Sequence, residues 1–79
     1  MTSSSSIRRL SDDRGAWRVQ VETWQERDGY HGRFVFVQDM PEDRREGPDA
    51  LRGRTREDVV AEAYELPENR IRQIFRSLA

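Results

Sequence analysis

Two segments with alternating apolar and polar residues, separated by a turn signal, place the strongest constraint on how this chain can fold. The segments are AWRVQVETWQE (16–26) and RFVFVQDM (33–40), and both are rich in β-branched and aromatic residues. Asp28-Gly29 lies between them and is typical of a tight turn between antiparallel strands. The sequence therefore predicts a β-hairpin with strands at about 16–26 and 32–40.

The alternation also predicts which side chains share a face of the hairpin. With Asp28-Gly29 as a two-residue loop, Val21 lies opposite Phe36. One face then collects the large apolar side chains of both strands: Trp17, Val19, Val21, Phe34, Phe36 and Met40. The other face carries a cross-strand ion pair and a cation–π pair, Arg18 with Asp39 and Trp24 with Arg33.

Two short helices are predicted towards the C-terminus, at about 56–65 and 67–78. Thr55 is suited to cap the first helix, because its hydroxyl can accept a hydrogen bond from the amide of Asp58. Pro67 stops this helix and suits the first turn of the next. Apolar residues follow the helical period in both helices: Val59, Val60, Ala63, Tyr64 and Leu66 in the first, and Ile71, Ile74, Phe75 and Leu78 in the second.

The remaining segments have few apolar residues. Residues 1–14 include a serine run and are predicted to form a flexible N-terminal tail, with Ile7 and Leu10 as anchors of a short extra strand near 7–10. Residues 41–54 contain prolines, glycines and alternating charges, which predict a charged loop. Leu51 is the large apolar residue of that loop and is expected to contact the core.

These elements define an α+β fold, in which an N-terminal antiparallel β-hairpin packs on two C-terminal helices within a single small domain at 15–79. A lone hairpin is marginally stable in water, so its apolar face needs the helices as a cover. The opposite face still exposes Trp24, Val35 and Val37. The N-terminal segment, a second copy of the chain or another protein would have to protect that patch.

The composition argues against catalysis. The chain of 79 residues has no cysteine and one histidine, which excludes disulfides and thiolate sites. Its glycines form no phosphate-binding pattern, and its carboxylates lie beside arginines rather than in a recognisable catalytic pair. His31 lies beside the predicted turn and is interpreted as an exposed turn residue. We therefore expect no enzyme activity, no cofactor and no metal.

The charge and hydropathy patterns limit the partners. All 14 basic residues are arginine, but the net charge is only −1, so the chain as a whole is not strongly basic. No segment has the apolar length of a signal peptide or of a membrane span. The sequence therefore predicts a cytoplasmic protein that does not bind a membrane.

The run VVAEAYELPENRIRQIF (59–75) has the residue types that two closely crossing helices need. Ala61 is small within the first helix, Leu66 is apolar at the turn, and Ile71 and Ile74 lie on the inner stripe. The run resembles the helix-turn-helix of repressors and sigma-factor regions. The resemblance implies base contacts from Glu68, Asn69, Arg70 and Gln73, and phosphate contacts from Arg52, Arg54 and Arg56.

Acidic residues favour a simpler interpretation of the same run. Glu57 and Asp58 lie at the helix end that would approach the DNA backbone, and Glu62 and Glu65 follow them. Carboxylates at such a contact would repel phosphates. We therefore expect the helical pair to serve mainly as the cover of the hairpin.

The sequence thus predicts a small non-catalytic binding or assembly module, with DNA binding through the second helix as the alternative. The predicted protein interface comprises Trp24, Val35 and Val37, because these residues form an apolar patch with a charged rim. Its partner would be a second copy, giving a homodimer, or another protein.

Overall fold

The computed structural model describes residues 2–13 and 15–78, which form an antiparallel sheet covered on one face by two helices. In chain order the elements are β1 (Ser3–Asp12), β2 (Gly15–Glu26), β3 (Gly29–Gln38), β4 (Asp43–Glu46), β5 (Leu51–Gly53), α1 (Arg56–Glu65) and α2 (Glu68–Ser77). The predicted α+β class, the hairpin and the helical pair are confirmed. Residues 1, 14 and 79, which the predicted tail and domain include, lie outside the described residues.

The central hairpin, β2 and β3, has a register two residues away from the expected one. Val21 lies opposite Phe34 instead of Phe36, because the turn is made by residues 27–28. Gly29 then begins β3 with a φ of +128°, a conformation that glycine adopts without strain. A shift of two residues leaves every side chain of the two strands on its expected face.

Both predicted pairs on the outer face of the hairpin form despite the new register. The Arg18 guanidinium lies 2.9 Å from the Asp39 carboxylate, and the Arg33 guanidinium lies 5.8 Å from the centre of a Trp24 ring. Their side chains are long enough to meet diagonally across the strands. Met40 was wrongly assigned to the apolar face: it lies beyond the end of β3 and is 88% exposed.

Most of the segment predicted as a tail is a strand. β1 pairs antiparallel with β2 and places Leu10 opposite Trp17. Leu10 is 3% exposed and Ile7 packs against the core, so both expected anchors are confirmed. The serine run has little strand preference of its own, so its extended structure depends on pairing with β2.

The segment predicted as a charged loop contains two short strands. β4 and β5 both pair with the outer edge of β3, one along each half of it. The Gly47 amide donates to the Phe34 carbonyl at 2.8 Å and so extends the pairing of β4 with β3 by one residue. Across residues 48–50 the pairing with β3 shifts by two residues before β5 begins. Leu51 is 2% exposed, as expected of a core contact. Both edges of the hairpin are therefore paired with other strands along most of their length.

The core lies between the sheet and the helices. Phe75 of α2 packs its ring 4.9 Å from those of both Trp17 and Phe36. Gly32 allows α1 to approach β3, because a Cβ at this position would lie 2.5 Å from Cγ1 of Val59. This close packing fixes α1 over the sheet, where its remaining faces are available for other contacts.

The boundaries of α1 agree with the sequence signals. The Thr55 hydroxyl accepts a hydrogen bond from the Asp58 amide at 3.1 Å, and the Asp58 carboxylate accepts one from the Thr55 amide at 3.3 Å. Leu66 has an extended backbone and ends the helix, and Pro67 leads into α2. The predicted cap and the proline boundary are confirmed.

Candidate interaction edge

The outer edge of β1 is an open strand edge. β1 pairs with β2 on one side, and no other strand within residues 2–13 and 15–78 pairs with it. Ser3–Ser6 carries neither a charge nor a proline, two common means of blocking such an edge. A register shift between Ser6 and Arg8 ends the regular stretch. Backbone groups of this stretch are therefore open to pairing with another extended chain.

α1 places an apolar strip beside this edge. Val60 is half-buried, Ala61 is exposed and Tyr64 is 54% exposed, although the helical period had assigned Val60 and Tyr64 to the apolar face of the helix. Together with Ser5 of β1, these side chains line a groove of about 300 Å³. We call the surface formed by Ser3–Ser6, Val60, Ala61 and Tyr64 the interaction edge.

Two arginines fix α1 to β1 and so set the width of the groove. Arg56 donates a hydrogen bond to the Ser5 hydroxyl at 3.1 Å. Arg8 donates to the carbonyl oxygens of Tyr64 and Leu66 at 3.4 Å and 3.5 Å. The last turn of α1 has no basic residue, so Arg8 supplies the positive charge that stabilises a helix C-terminus. The two ends of α1 are thus tied to different points along β1.

The first helix carries an excess of acidic residues. α1 has four acidic residues and one arginine, a net charge of −3. Asp58 is engaged in the capping box, whereas Glu57, Glu62 and Glu65 are exposed. Within the described part of the chain, none of these three glutamates has an ion-pair partner. Of the three, Glu57 lines the groove, beside Arg56.

The predicted protein-interface patch is largely covered by the chain's own ionic side chains. Val35 is 0% exposed on the sheet face away from the helices, and Trp24 and Val37 are half-buried. An ion-pair network crosses this face with contacts of 2.6–3.2 Å between guanidinium and carboxylate groups, formed by Glu22, Arg33, Arg44 and Glu46. β1 pairs at the edge of the sheet and does not lie over this face. The apolar residues of the face are therefore covered by these charged side chains.

Glu22 is the most enclosed member of that network. Its side chain is 13% exposed, and burial alone would raise the pKa of its carboxyl. Hydrogen bonds from Arg33 and Arg44 outweigh burial and lower the pKa of Glu22. The carboxylate is therefore held ionised between two guanidinium groups.

The residues predicted to contact base edges lie on the outer side of α2. Asn69, Arg70 and Gln73 are exposed, and so is Glu68, whose carboxylate accepts a hydrogen bond from Arg72 at 3.1 Å. These four side chains therefore lie on the solvent-facing surface of the helix, whereas Ala61, which the resemblance places at the crossing of the two helices, is exposed.

Two of the three arginines predicted to contact phosphates make contacts within the chain. Arg52 forms an ion pair with Asp49, and Arg56 is bonded to Ser5 in the groove. Arg54 is exposed. The phosphate contacts of these three arginines remain a prediction.

A second cleft, of about 470 Å³, lies between the β1–β2 turn, β4 and α2. Its lining combines both signs of charge: Asp12, Asp13, Arg45, Arg72 and Arg76. Arg45 lies with its guanidinium 5.0 Å from the Trp17 ring and 5.2 Å from the Phe75 ring. This arginine closes the end of the core and is not a free anion-binding group.

His31 is held between two carboxylates. Its Nδ1 lies 3.0 Å from Oδ2 of Asp49, and its Nε2 lies 2.7 Å from Oδ1 of Asp28. These hydrogen bonds raise the pKa of His31, and the same contacts lower the pKa of Asp28 and of Asp49. The side chain is 12% exposed, so the expectation of an exposed turn histidine was wrong. Asp49 could not be anticipated, because its approach depends on β5 pairing with β3.

No family model, curated protein or solved structure matches this chain. No helix among the described residues has the length and apolar character needed to cross a membrane. Function is therefore inferred from the geometry of the domain itself.

Proposed function

We propose that this domain is a non-catalytic binding module that holds another protein chain along the interaction edge. The observation that supports this role is the uncharged, unpaired edge of Ser3–Ser6 beside the exposed apolar strip of α1. In strand addition, backbone hydrogen bonds supply affinity, and pockets for alternate side chains supply specificity. Both parts of such a site lie next to each other here.

Peptide selection tests this role because it does not require that the partner be identified first. A library of random peptides displayed on phage should yield sequences that bind the immobilised domain. An enriched peptide should shift the amide resonances of Ser3–Ser6 and of residues 60–64. Ala61→Arg should abolish binding because the new side chain fills the groove. Glu62→Arg is the matched control, since at 3.6 residues per turn position 62 points away from the strip.

The proposal fails if no peptide is enriched, or if enriched peptides shift residues on other surfaces and bind Ala61→Arg as well as the wild type. A loss of binding by both arginine variants would indicate a general charge effect and would also count against the groove.

DNA binding through α2 is a second candidate, supported by the exposure of Asn69, Arg70 and Gln73 on a helix with a net charge of +2. Arginine, asparagine and glutamine are side chains that recognise base edges. Retardation of duplex DNA at low salt should be lost in Arg70→Ala while the unfolding free energy changes little. Absence of retardation by the wild type at low salt would exclude this candidate.

A further inference from the structure

We infer that the chain held along the interaction edge is a second copy of this domain, an inference that rests on the proposed binding role. The two β1 strands pair antiparallel about a two-fold axis at Ser5, so that Ser4 of each copy lies opposite the partner's Ser6. Glu57 of each copy forms an ion pair with the partner's Arg8. Each groove is then closed by the apolar strip of the other copy.

The pairing of the inner strands shows which backbone groups of β1 are open. Phe34 accepts from the Gly47 amide on the outer side of β3, so its N–H and C=O point away from β2. Val21 lies opposite Phe34 and therefore directs its own N–H and C=O to β1, where it lies opposite Ser5. Ser5 is thus bonded to β2, and its two neighbours in the strand direct their N–H and C=O groups to the open side.

The open groups of the regular stretch belong to Ser4 and Ser6, one on each side of Ser5. A two-fold axis at Ser5 places Ser4 of one copy opposite the partner's Ser6, and antiparallel residues that face each other in this way exchange both N–H···O bonds. Ser6 of the first copy meets the partner's Ser4 in the same manner. The edge is therefore complementary to itself, and its side chains are small and uncharged.

The charges along the groove are complementary under the same axis. Arg56, at the start of α1, contacts Ser5, whereas Tyr64, near the end, contacts Arg8 through its carbonyl oxygen. The helix thus follows β1 in the same direction, with Glu57 beside Arg56 at one end of the groove and Arg8 at the other. The axis reverses the direction of the partner, so it brings the partner's Arg8 to the end that carries Glu57.

The other charges near the groove do not oppose this pairing. Arg56 is already bonded to the Ser5 hydroxyl of its own chain. Glu65 lies half a turn of α1 away from Arg56, and Glu62 lies on the opposite side of the helix from Val60, so both glutamates face away from the groove. The chain has a net charge of only −1, and two copies therefore repel each other weakly.

The apolar strip of each copy lies on the side of α1 that meets the partner. Val60 and Tyr64 follow Arg56 by four and eight residues, so they share its side of the helix. A two-fold axis between antiparallel strands is perpendicular to the sheet, and both copies of α1 therefore lie on the same face of the joined sheet. The two strips then approach each other over the paired strands. Burial of the exposed Tyr64 and Ala61 favours association.

Sedimentation equilibrium of the whole chain tests self-association. The wild type should form a dimer between about 10 μM and 1 mM, as expected of a short interface. Dilution should shift the amide resonances of Ser4, Ser6 and Tyr64. Ser4→Pro should abolish the dimer and leave the circular dichroism spectrum unchanged, because it removes an N–H that points away from β2. Thr2→Pro is the matched control, since residue 2 precedes β1 and lies outside the proposed pairing.

An exchange of charges tests the ion pair. Glu57→Arg and Arg8→Glu should each weaken the dimer about tenfold, because two ion pairs are replaced by two repulsions. A mixture of the two variants should regain the wild-type affinity, since the heterodimer pairs opposite charges at both ends. Glu62→Arg is the control and should dimerise like the wild type. If Arg8→Glu does not fold, the comparison of Glu57→Arg with Glu62→Arg decides the same point.

A wild type that stays monomeric to about 1 mM would overturn the inference. It would leave the proposed function intact if selected peptides still shifted Ser3–Ser6. A dimer that survives Ser4→Pro, or whose dilution shifts fall on another surface, would also overturn it. An edge that responds neither to dilution nor to any selected peptide would overturn both proposals.

Discussion

Arg45 lies with its guanidinium against two aromatic rings at one end of the core, 5.0 Å from Trp17 and 5.2 Å from Phe75. Its side chain is 15% exposed, and its carboxylate partner Asp43 is 3.5 Å away. The ring faces attract the positive charge, and the aliphatic stem covers apolar surface that water would otherwise reach.

Arg45→Met should lower the free energy of unfolding by about 1–2 kcal/mol, because it keeps the stem but removes the charge above both rings. Urea denaturation followed by tryptophan fluorescence measures this change. Arg54→Met is the control, since Arg54 is exposed, and its effect should stay within about 0.5 kcal/mol. Equal effects of the two substitutions would show that the ring contacts add no stability.

The His31 cluster couples stability to pH. The pKa of His31 is raised above its ordinary value of 6.5, so the folded state binds the proton more tightly than the unfolded chain. This contribution is complete below pH 6.5 and is lost as the pH rises through the raised value. The pKa of Asp28 and that of Asp49 are lowered from 3.8, so their contribution is complete above pH 3.8 and is lost on further acidification.

We expect the unfolding free energy to decline as the pH rises above 6.5, and His31→Gln to remove that decline. The chain has no other histidine, so the difference between the two pH profiles is assigned to this residue. A proton NMR titration of the imidazole should give a midpoint above 6.5. A midpoint at or below that value would contradict the hydrogen bonds to both carboxylates.

The elements that sequence analysis could predict are those whose signals are local. Alternation defined the faces of β2 and β3, and Thr55 and Pro67 set the limits of α1. β4 is the contrary case, because Asp43–Glu46 consists wholly of charged residues, which have low strand preference. β4 is extended because its backbone pairs with β3. A pairing between distant strands leaves no pattern in the local sequence.

The candidate site was only partly visible in the sequence for the same reason. The helical period identified Val60 and Tyr64 as apolar positions, but it could not show that Val59 and Ala63 alone face the core. The open edge of β1 depends on the order of the strands. The edge therefore becomes apparent only from the pairing of the serine run with β2 in the structure.

The capping box of α1 gives a prediction of its own. Thr55→Ala removes the hydroxyl that accepts from the Asp58 amide and should destabilise the domain by about 1 kcal/mol. Thr2→Ala, at an exposed position before β1, should have no measurable effect. Hydrogen exchange should show faster exchange of the first amides of α1 in the Thr55 variant only, and unchanged exchange there would contradict a role for the cap.

The whole molecule has two unlike sheet faces. One is apolar and covered by the helices, whereas the other buries Val35 beneath an ionic network in which Glu22 accepts from Arg33 at 2.8 Å and from Arg44 at 2.6 Å. A sheet this small can therefore be closed on both faces by a chain rich in arginine and acidic residues. Both faces of the sheet are thus covered, which is why the proposed binding role is assigned to the strand edge of β1.

Glu22→Gln should destabilise the whole domain by about 1–3 kcal/mol, because it leaves two guanidinium groups without their ionised acceptor. Glu62→Gln, an equivalent change on the exposed surface of α1, should alter the unfolding free energy by less than about 0.5 kcal/mol. Thermal unfolding monitored by circular dichroism compares the two. If both variants unfolded at the same temperature as the wild type, the ionic network would contribute nothing to stability.

The arginine contacts between β1 and the helices also bear on how the protein is made. They join residues 51 to 61 positions apart, from Arg56 with Ser5 to Arg72 with Ser11. During translation the strands emerge first, and the apolar face around Trp17 stays uncovered until α2 has left the ribosome. Chaperones that recognise extended apolar strands would therefore meet this chain early, and slow decoding between β3 and α2 would lengthen that exposure.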